Sequence, residues 1–346
     1  MINELFVLGC AACLAVVLLW SFRYLPEEKW QIIAAVPVKK DETGFWHGVN
    51  LTYYGFLVAS AQSVAVSMFF VLMGALHVSH SDLAILSIGL LFVCILASKI
   101  LAKIVEKKLN TFTVGGASFV GIILAPLILW IFNGLFHKFV PMLPFLAAVS
   151  VAYALGEGIG RLACISFGCC YGKPLSKIHP FLASFLKHIC ISFEGKTKKI
   201  SYEAGLDNTE VVPVQAITSI LCVSVGLLGT YLYLNEKYDL AFVLSIVVTQ
   251  GWRFFSETLR ADYRGKGKVT VYQWMSIIAI LVAIGFQVYL PQSMQNQPEL
   301  LKGLRQLWNP AWIIFIQVLW VAVFLYLGRS RVTSSTLAFN VRHDMI

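Results

Sequence analysis

Charge is what this chain is short of. Asp, Glu, Lys and Arg make up only 13% of its 346 residues, against 58% that are apolar, where a soluble domain carries about 25% charge. That scarcity excludes a soluble globular protein and leaves a polytopic membrane protein. No stretch resembles a nucleic-acid-binding module. The first apolar segment, residues 5–22, lacks the basic start and the small-x-small cleavage site of a signal peptide, so it reads as a membrane anchor. No inverted repeat is visible, which counts against a transporter. Five of the eight cysteines (Cys10, Cys13, Cys94, Cys164 and Cys222) lie in or at the edge of apolar segments, where a thiol behaves as a small hydrophobe. No disulfide framework follows from them, and no cofactor is expected.

What is present is a series of nine apolar segments, at 5–22, 54–76, 83–104, 115–135, 143–162, 213–234, 240–255, 271–290 and 311–327. Most reach the roughly 17 to 25 residues that cross a bilayer as helix. The expected fold is therefore an all-α polytopic membrane protein of about nine transmembrane helices. Residues 23–50, with Pro26, Trp30 and Pro37, are too polar to span and are expected to lie along the interface as an arm after the first helix. Residues 172–210 form the longest polar insertion, a small head carrying Lys173, Lys177, Lys187, Lys196, Lys198 and Lys199. Within it, 178–191 places Phe181, Phe185 and Ile189 at helical spacing, which predicts a helix lying on the membrane. Lys99, Lys103, Lys107 and Lys108 close the third segment and read as snorkelling side chains.

One stretch is out of keeping with the rest: 156–172 ends an apolar segment with an acid, an arginine, three cysteines and five glycines. Glu157 and Arg161 are four apart and share a helix face. A buried arginine needs a counter-charge or a cavity, which makes it a functional candidate; a structural ion pair in a small-residue helix contact is the plainer alternative. The seventh segment repeats the spacing with Arg253 and Glu257, followed by Arg260. The fourth opens with Gly115-Gly116, whose amides suit an anion, the sixth with Pro213-x-Gln215, and the eighth with Gln273. Tyr54 at the second segment's start belongs to an aromatic belt or faces a lipid-binding cavity. Alternating the direction of successive helices brings all these ends to one face. Two arginines, an acid and glycine amides gathered at headgroup level are chemistry for a phosphodiester, because a guanidinium matches phosphate oxygens bidentately.

With these residues in hand, the chain resembles the prolipoprotein diacylglyceryl transferase family. The matching pieces are Tyr53-Tyr54-Gly55, Gly115-Gly116, Gly160-Arg161 with Gly172, Pro213-x-Gln215, Arg253-x3-Glu257 with Arg260, and Gln273, in the family's order over about 51–290. The resemblance implies a seven-helix core at 51–290, an extra helix and arm in 1–50, and a linker, extra helix and basic tail in 291–346. It implies phosphatidylglycerol, or another anionic phospholipid, as donor, glycerol phosphate as leaving group, a lipoprotein cysteine or another nucleophile as acceptor, and the bacterial cytoplasmic membrane as location. Arg161, Arg253 and Glu257 would be catalytic, with Tyr54, Gly115, Gly116, Gly160, Gly172, Gln215, Arg260 and Gln273 binding substrate. Glu257 would hold Arg253 in place or take the acceptor's proton. The chain departs from the family pattern where Val114 replaces a His, Cys164 an Asn, Phe167 an Asn and Cys169 a Glu.

Cys169 and Cys170 then read either as packing around a glycine turn or as a thiolate nucleophile beside Arg161. A metal site of Cys164, Cys169 and Cys170 with His179 or Cys190 is a third possibility, weakened by the Cys-x4-Cys-Cys spacing. A non-catalytic lipid-binding or partner-scaffolding protein on the same fold is the alternative to an enzyme. Lastly, 21 of the 27 Lys and Arg fall on the site face and four on the other. Lys and Arg gather on the cytoplasmic side, so the site is expected to face the cytoplasm, opposite to the family's outward site.

Overall fold

A computed structural model describes residues 1–106, 114–263, 269–290 and 297–346. Lys107, Lys108, the Thr111–Thr113 lead into the fourth helix, and Arg264, Lys266 and Lys268 of the charge count lie outside the described residues. Among those described, the chain is an all-α membrane protein with one small sheet. Its elements run α1 Ile2–Tyr24, β1 Ile32–Lys40, β2 Trp46–Thr52, α2 Tyr53–Gly74, α3 His80–Leu101, α4 Val114–Phe136, α5 Met142–Phe167, α6 Pro180–Leu186, α7 Lys199–Ala204, α8 Val214–Leu234, α9 Tyr238–Leu259, α10 Val271–Tyr289, α11 Leu300–Leu307, α12 Pro310–Leu327 and β3 Arg329–Leu337. Eight of the described helices are long and apolar enough to cross a membrane. α9 has the length but carries Asp239 in its first turn and Arg253 and Glu257 toward its other end, and that second pair belongs to the site.

The bundle is organised around α5, which is buried on nearly all sides and packs against α2, α8 and α9. Small residues make that possible. A methyl group at Gly158 would lie 2.8 Å from Val223 Cγ2, and one at Gly156 would lie 3.0 Å from the Ala65 methyl. Ser219 Oγ of α8 donates to the Gly158 carbonyl over 2.6 Å, fixing the crossing directly beside Glu157. α10 joins the bundle through α9 and α4, while α1 lies against α8 and α5, and α12 against α2. Neither outer helix is core: α1 buries only Leu18 and Ser21, and α12 buries nothing, as befits surfaces that meet lipid.

Local sequence sets the helix ends. Thr52 caps α2 by accepting from Gly55 N–H at 3.4 Å. Asn309 caps α12 ahead of Pro310 at the first helical position. Gly168 stops α5 in a left-handed conformation at φ 72°.

Two expectations change. The arm at 23–50 folds as an antiparallel hairpin, β1 with β2; its alternating 46–52 run meets the tail, whose β3 adds to β2 with Trp46 opposite Leu337 and His47 opposite Thr336. The surface helix predicted over 178–191 shrinks to the seven residues of α6, begun by Pro180. Lys198, one of the six lysines of that polar head, is fully buried. Its Nζ donates to Leu25 O at 3.0 Å and Ser166 O at 2.8 Å, the carbonyl-rich C-terminal ends of α1 and α5, where an ammonium completes the orphan acceptors.

Candidate functional site

The C-terminal ends of α5 and α9 meet the first turns of α2, α4, α8 and α10 at one end of the bundle, beneath the head. The loop after α5 is stitched to the end of α9 by a bridge between Gly172 and Arg260, with Lys173 N–H donating to Leu259 O at 2.8 Å. Gly172 is required there, because a side chain would run into the Val212 carbonyl. At 1.5 Å of rise per residue, Arg161 lies about 9 Å and Glu157 about 15 Å below the end of α5. Both are well inside the bundle.

At that depth Glu157 is shared by two arginines. Its Oε2 accepts from Arg253 Nη2 at 2.6 Å, and its Oε1 pairs with Arg161 Nη2 on the next turn. Arg253 Nη2 also donates to Tyr153 Oη at 3.2 Å, which takes a second bond from Gln250 Nε2 at 3.1 Å. Tyr153, Glu157 and Arg161 thus form a line at spacing four along α5. Tyr153 is the member that sequence reasoning missed, although that same spacing points to it. Two guanidinium groups against one carboxylate leave one positive charge in a buried place. Arg253 keeps a buried Nε–H with no acceptor among the described residues, a donor that a ligand oxygen can take. The expected clamp of Arg253 by Glu257 is corrected: the carboxylate on Arg253 is Glu157. Glu257, one turn further along α9, approaches Arg260 Nη1 at 3.5 Å.

The other candidates divide. Gly115, in the first turn of α4, leaves the space into which Arg253 and Tyr272 pack, since a methyl there would sit 3.0 Å from Arg253 Nη1 and 2.8 Å from Tyr272 Cδ1. Gly116 is buried beside it, while Val114, in the same turn, is exposed. Gly160 faces α2, with the Ala61 methyl 3.8 Å from where its own would be. Gln215 donates through Nε2 to Cys169 O at 2.8 Å, holding the loop after α5. Arg260 is engaged by Asp262, through Nε at 2.7 Å and Nη2 at 2.6 Å. Gln273 spends its amide on architecture: Oε1 accepts from Thr270 N–H at 2.8 Å in a capping box, and Nε2 donates to Phe254 O at 3.1 Å.

Cys164, Cys169 and Cys170 have their sulfur atoms within 4.8 Å of one another. His179 and Cys190 are not in that group. Hydrogen bonds from the Cys164 and Cys169 thiols, then the Arg260 and Arg161 cations, hold Cys170 well below the usual thiol range. Hydrogen bonds with the Cys164 and Cys170 thiols, together with burial, push Cys169 up.

Cys169, Tyr54 and Phe167 also form one wall of a cavity of about 810 Å³, whose other walls include Lys99 of α3, Lys103 just beyond its end, Lys199 and Glu203 of α7, Tyr326 of α12, and Arg329 and Arg331 of β3. Tyr54 stacks edge-on to Phe167 at 5.7 Å, and Lys99 Nζ lies over the Tyr326 ring at 5.2 Å. Five cations against one carboxylate line this space. The tyrosine faces a cavity and not only a headgroup belt, and two of the four lysines read as snorkelling, Lys99 and Lys103, are among its walls.

These features define a multi-pass membrane protein with arginine and lysine side chains converging on one anion-receptive end. The sequence model of the prolipoprotein diacylglyceryl transferase family matches residues 44–289, and the chain belongs to that family. A Clostridium perfringens (strain 13 / Type A) protein named phosphatidylglycerol–prolipoprotein diacylglyceryl transferase 2 is 30% identical over 133 residues, 38% of this chain and 46% of the relative. The alignment therefore spans about half the length of that curated relative.

Proposed function

We propose that the protein is a phospholipid-dependent transferase that moves the diacylglyceryl group of phosphatidylglycerol to an acceptor nucleophile and releases glycerol phosphate. The observation that carries this reading is the pair of arginines sharing the buried Glu157, in a chain of the transferase family. In such a reaction the acceptor's lone pair forms a bond to the glyceryl carbon. The carbon–oxygen bond to phosphate breaks, its electron pair leaves with the phosphate oxygen, and the monoanionic diester becomes a monoester with a second charge. Arg161 and Arg253 supply donors where that charge grows. An aligned donor of this kind contributes about 3 kcal/mol in a water-poor site. Tyr153 and Glu157 keep Arg253 oriented, Gly115 admits it to the first turn of α4, and Glu257 is a carboxylate for the acceptor's proton. The cation-lined cavity beside Tyr54 and Cys169 is the place for an anionic headgroup on its way in or for the departing glycerol phosphate.

The experiment is release of glycerol phosphate by the purified protein from phosphatidylglycerol in mixed micelles, with candidate acceptors supplied. Release that Arg253→Ala abolishes supports the reading. Tight lipid binding with no release favours the second reading, a non-catalytic lipid-binding protein, for which Val114, Phe167 and Cys169 at positions of family His, Asn and Glu speak.

We also infer that this end faces the cytoplasm, with the N-terminus outside, from the excess of Lys and Arg beside it. A lipoprotein arriving outside is then an awkward acceptor, and a cytosolic thiol, amine or lipid a better one. Lys198 is buried, so the reporter belongs at the exposed Lys196. A single cysteine there, in an otherwise cysteine-free chain, should resist membrane-impermeant reagents until cells are lysed. Labelling of intact cells overturns the cytoplasmic assignment.

A further inference from the structure

The transfer proposed above gives the three thiols at the end of α5 no fixed task, yet the chain goes to some length to gather them. α5 stops at Gly168, with Cys169 N–H returning to Cys164 O at 3.0 Å. Cys170 then adopts φ 58°, left-handed backbone in a residue with a Cβ, a conformation that costs about 1–2 kcal/mol and persists where surrounding structure enforces it. The enforcement is visible. Gln215 holds Cys169 O at 2.8 Å, Ile200 N–H donates to Gly168 O at 3.0 Å, and Ala261 N–H to Tyr171 O at 3.1 Å. The result is three sulfur atoms within 4.8 Å of one another.

We propose that Cys164, Cys169 and Cys170 form a three-thiolate zinc site with an open fourth position. Zinc–sulfur bonds of about 2.3 Å at tetrahedral angles place sulfurs about 3.8 Å apart, so the site closes on the metal by a shift of about 1 Å or less. The ligand type is the one soft thiolate sites offer to zinc. Charge also fits: three thiolates around Zn²⁺ carry one negative charge, and the Arg161 and Arg260 guanidinium groups act on Cys170 from nearby. No fourth His, Cys, Asp or Glu among the described residues joins the group. Three protein ligands with a vacant fourth position is the arrangement of a catalytic zinc and not of a closed structural one. That position is reachable, because Cys169 lines the cation-rich cavity.

The proposal names an acceptor class for the transfer, and in that respect it rests on the proposed function. A thiol entering the open position coordinates zinc as thiolate and gives its proton to solvent. Its sulfur lone pair forms the bond to the glyceryl carbon, the carbon–oxygen bond breaks, and the electron pair leaves on the oxygen of glycerol phosphate. No oxidant or reductant is needed.

Metal binding is tested without turnover. The full chain, purified under reducing conditions without a histidine tag, should carry about one equivalent of zinc by elemental analysis. Exchange with Co²⁺ should produce intense thiolate-to-cobalt charge-transfer absorption. Cys164→Ser and Cys169→Ser should each lower metal content at least tenfold and remove most of that absorption, while Cys94→Ser, on α3, leaves both unchanged. Absence of metal together with no charge-transfer band after Co²⁺ addition overturns the site. So does a band indifferent to Cys164→Ser and Cys169→Ser in protein that elutes as wild type. A chain that releases glycerol phosphate yet binds no metal sinks the zinc site and spares the transferase reading; one that binds zinc and releases nothing does the reverse.

Discussion

Two arginine sites stand at the same end of the bundle and are solved in opposite ways. Arg161 and Arg253 share the single carboxylate of Glu157, whereas Arg260 receives Asp262 on two of its nitrogens and Glu257 at 3.5 Å on the third. The first arrangement leaves positive charge over; the second covers its cation with acid. Burying a guanidinium without compensation costs several kcal/mol. A chain that leaves one under-compensated therefore stores an affinity for an anion, and one that saturates its arginine uses it as a strut. All three arginines look alike in the sequence; the ratio of cation to acid around each assigns the role.

The largest expected effect tests that contrast directly. Arg253→Ala and Arg161→Ala should each lower release of glycerol phosphate by roughly 100-fold or more, the loss expected when a donor to a developing oxyanion is removed. Arg260→Ala should keep turnover within a few-fold and instead lower the thermal midpoint in detergent, since the bidentate pair with Asp262 is lost. If all three variants fold normally and lose turnover equally, the distinction between a stored charge and a strut collapses.

Glu157→Gln comes next. It removes the counter-charge common to both arginines, and breaking a buried pair in this way destabilises by about 3–5 kcal/mol. The expected outcome is reduced yield and a lower midpoint. Unchanged stability with lost turnover would make Glu157 catalytic and not a positioning residue.

How far the sequence carried this picture depends on what kind of signal each residue leaves. Glu157 and Arg161 were legible as a pair because helix geometry links positions four apart, and the shared level of Arg253, Gly115 and Tyr54 followed from counting spans. The cross-helix bond from Arg253 to Glu157 was not legible. Arg253 has Glu257 at the same local spacing, and only tertiary packing of α9 on α5 decides between the two acids. The sheet was missed for a related reason: β2 reads as a strand only when β3, nearly three hundred residues away, supplies its partner. The cavity was half seen. Lys99 and Lys103 looked like ordinary snorkelling residues until Arg329 and Arg331 on that same strand closed the opposite wall. The gathering of Cys164 with Cys169 and Cys170 depended on Cys170 adopting a backbone conformation that no sequence rule assigns to cysteine.

The smallest expected effect concerns Lys198, a buried cation of the head whose partners are carbonyls and not acids, a third solution beside the two arginine sites. Burial pushes its ammonium down to about 8, from an ordinary value of 10.5. Between those values the unfolded chain binds more protons at this position than the folded one, so folding stability from this group rises as pH climbs from about 8 toward 10.5. Below pH 8 both states are protonated, and the cost of burying the charge is fully present and constant. Lys198→Met removes that cost but strands the carbonyls of Leu25 and Ser166, each worth about 1–3 kcal/mol when left without a donor. The two effects oppose each other near neutrality, so the midpoint of the variant should fall only slightly below wild type at pH 7. The gap should widen in favour of wild type at pH 9.5, where the amine is neutral and still donates both bonds. Thermal midpoints of the two proteins across pH 7 to 10 measure it, and taking the difference cancels alkaline effects common to both. A gap that stays flat or narrows with pH would mean that Lys198 remains charged in the fold and that the ends of α1 and α5 stabilise it as fully as an acid would.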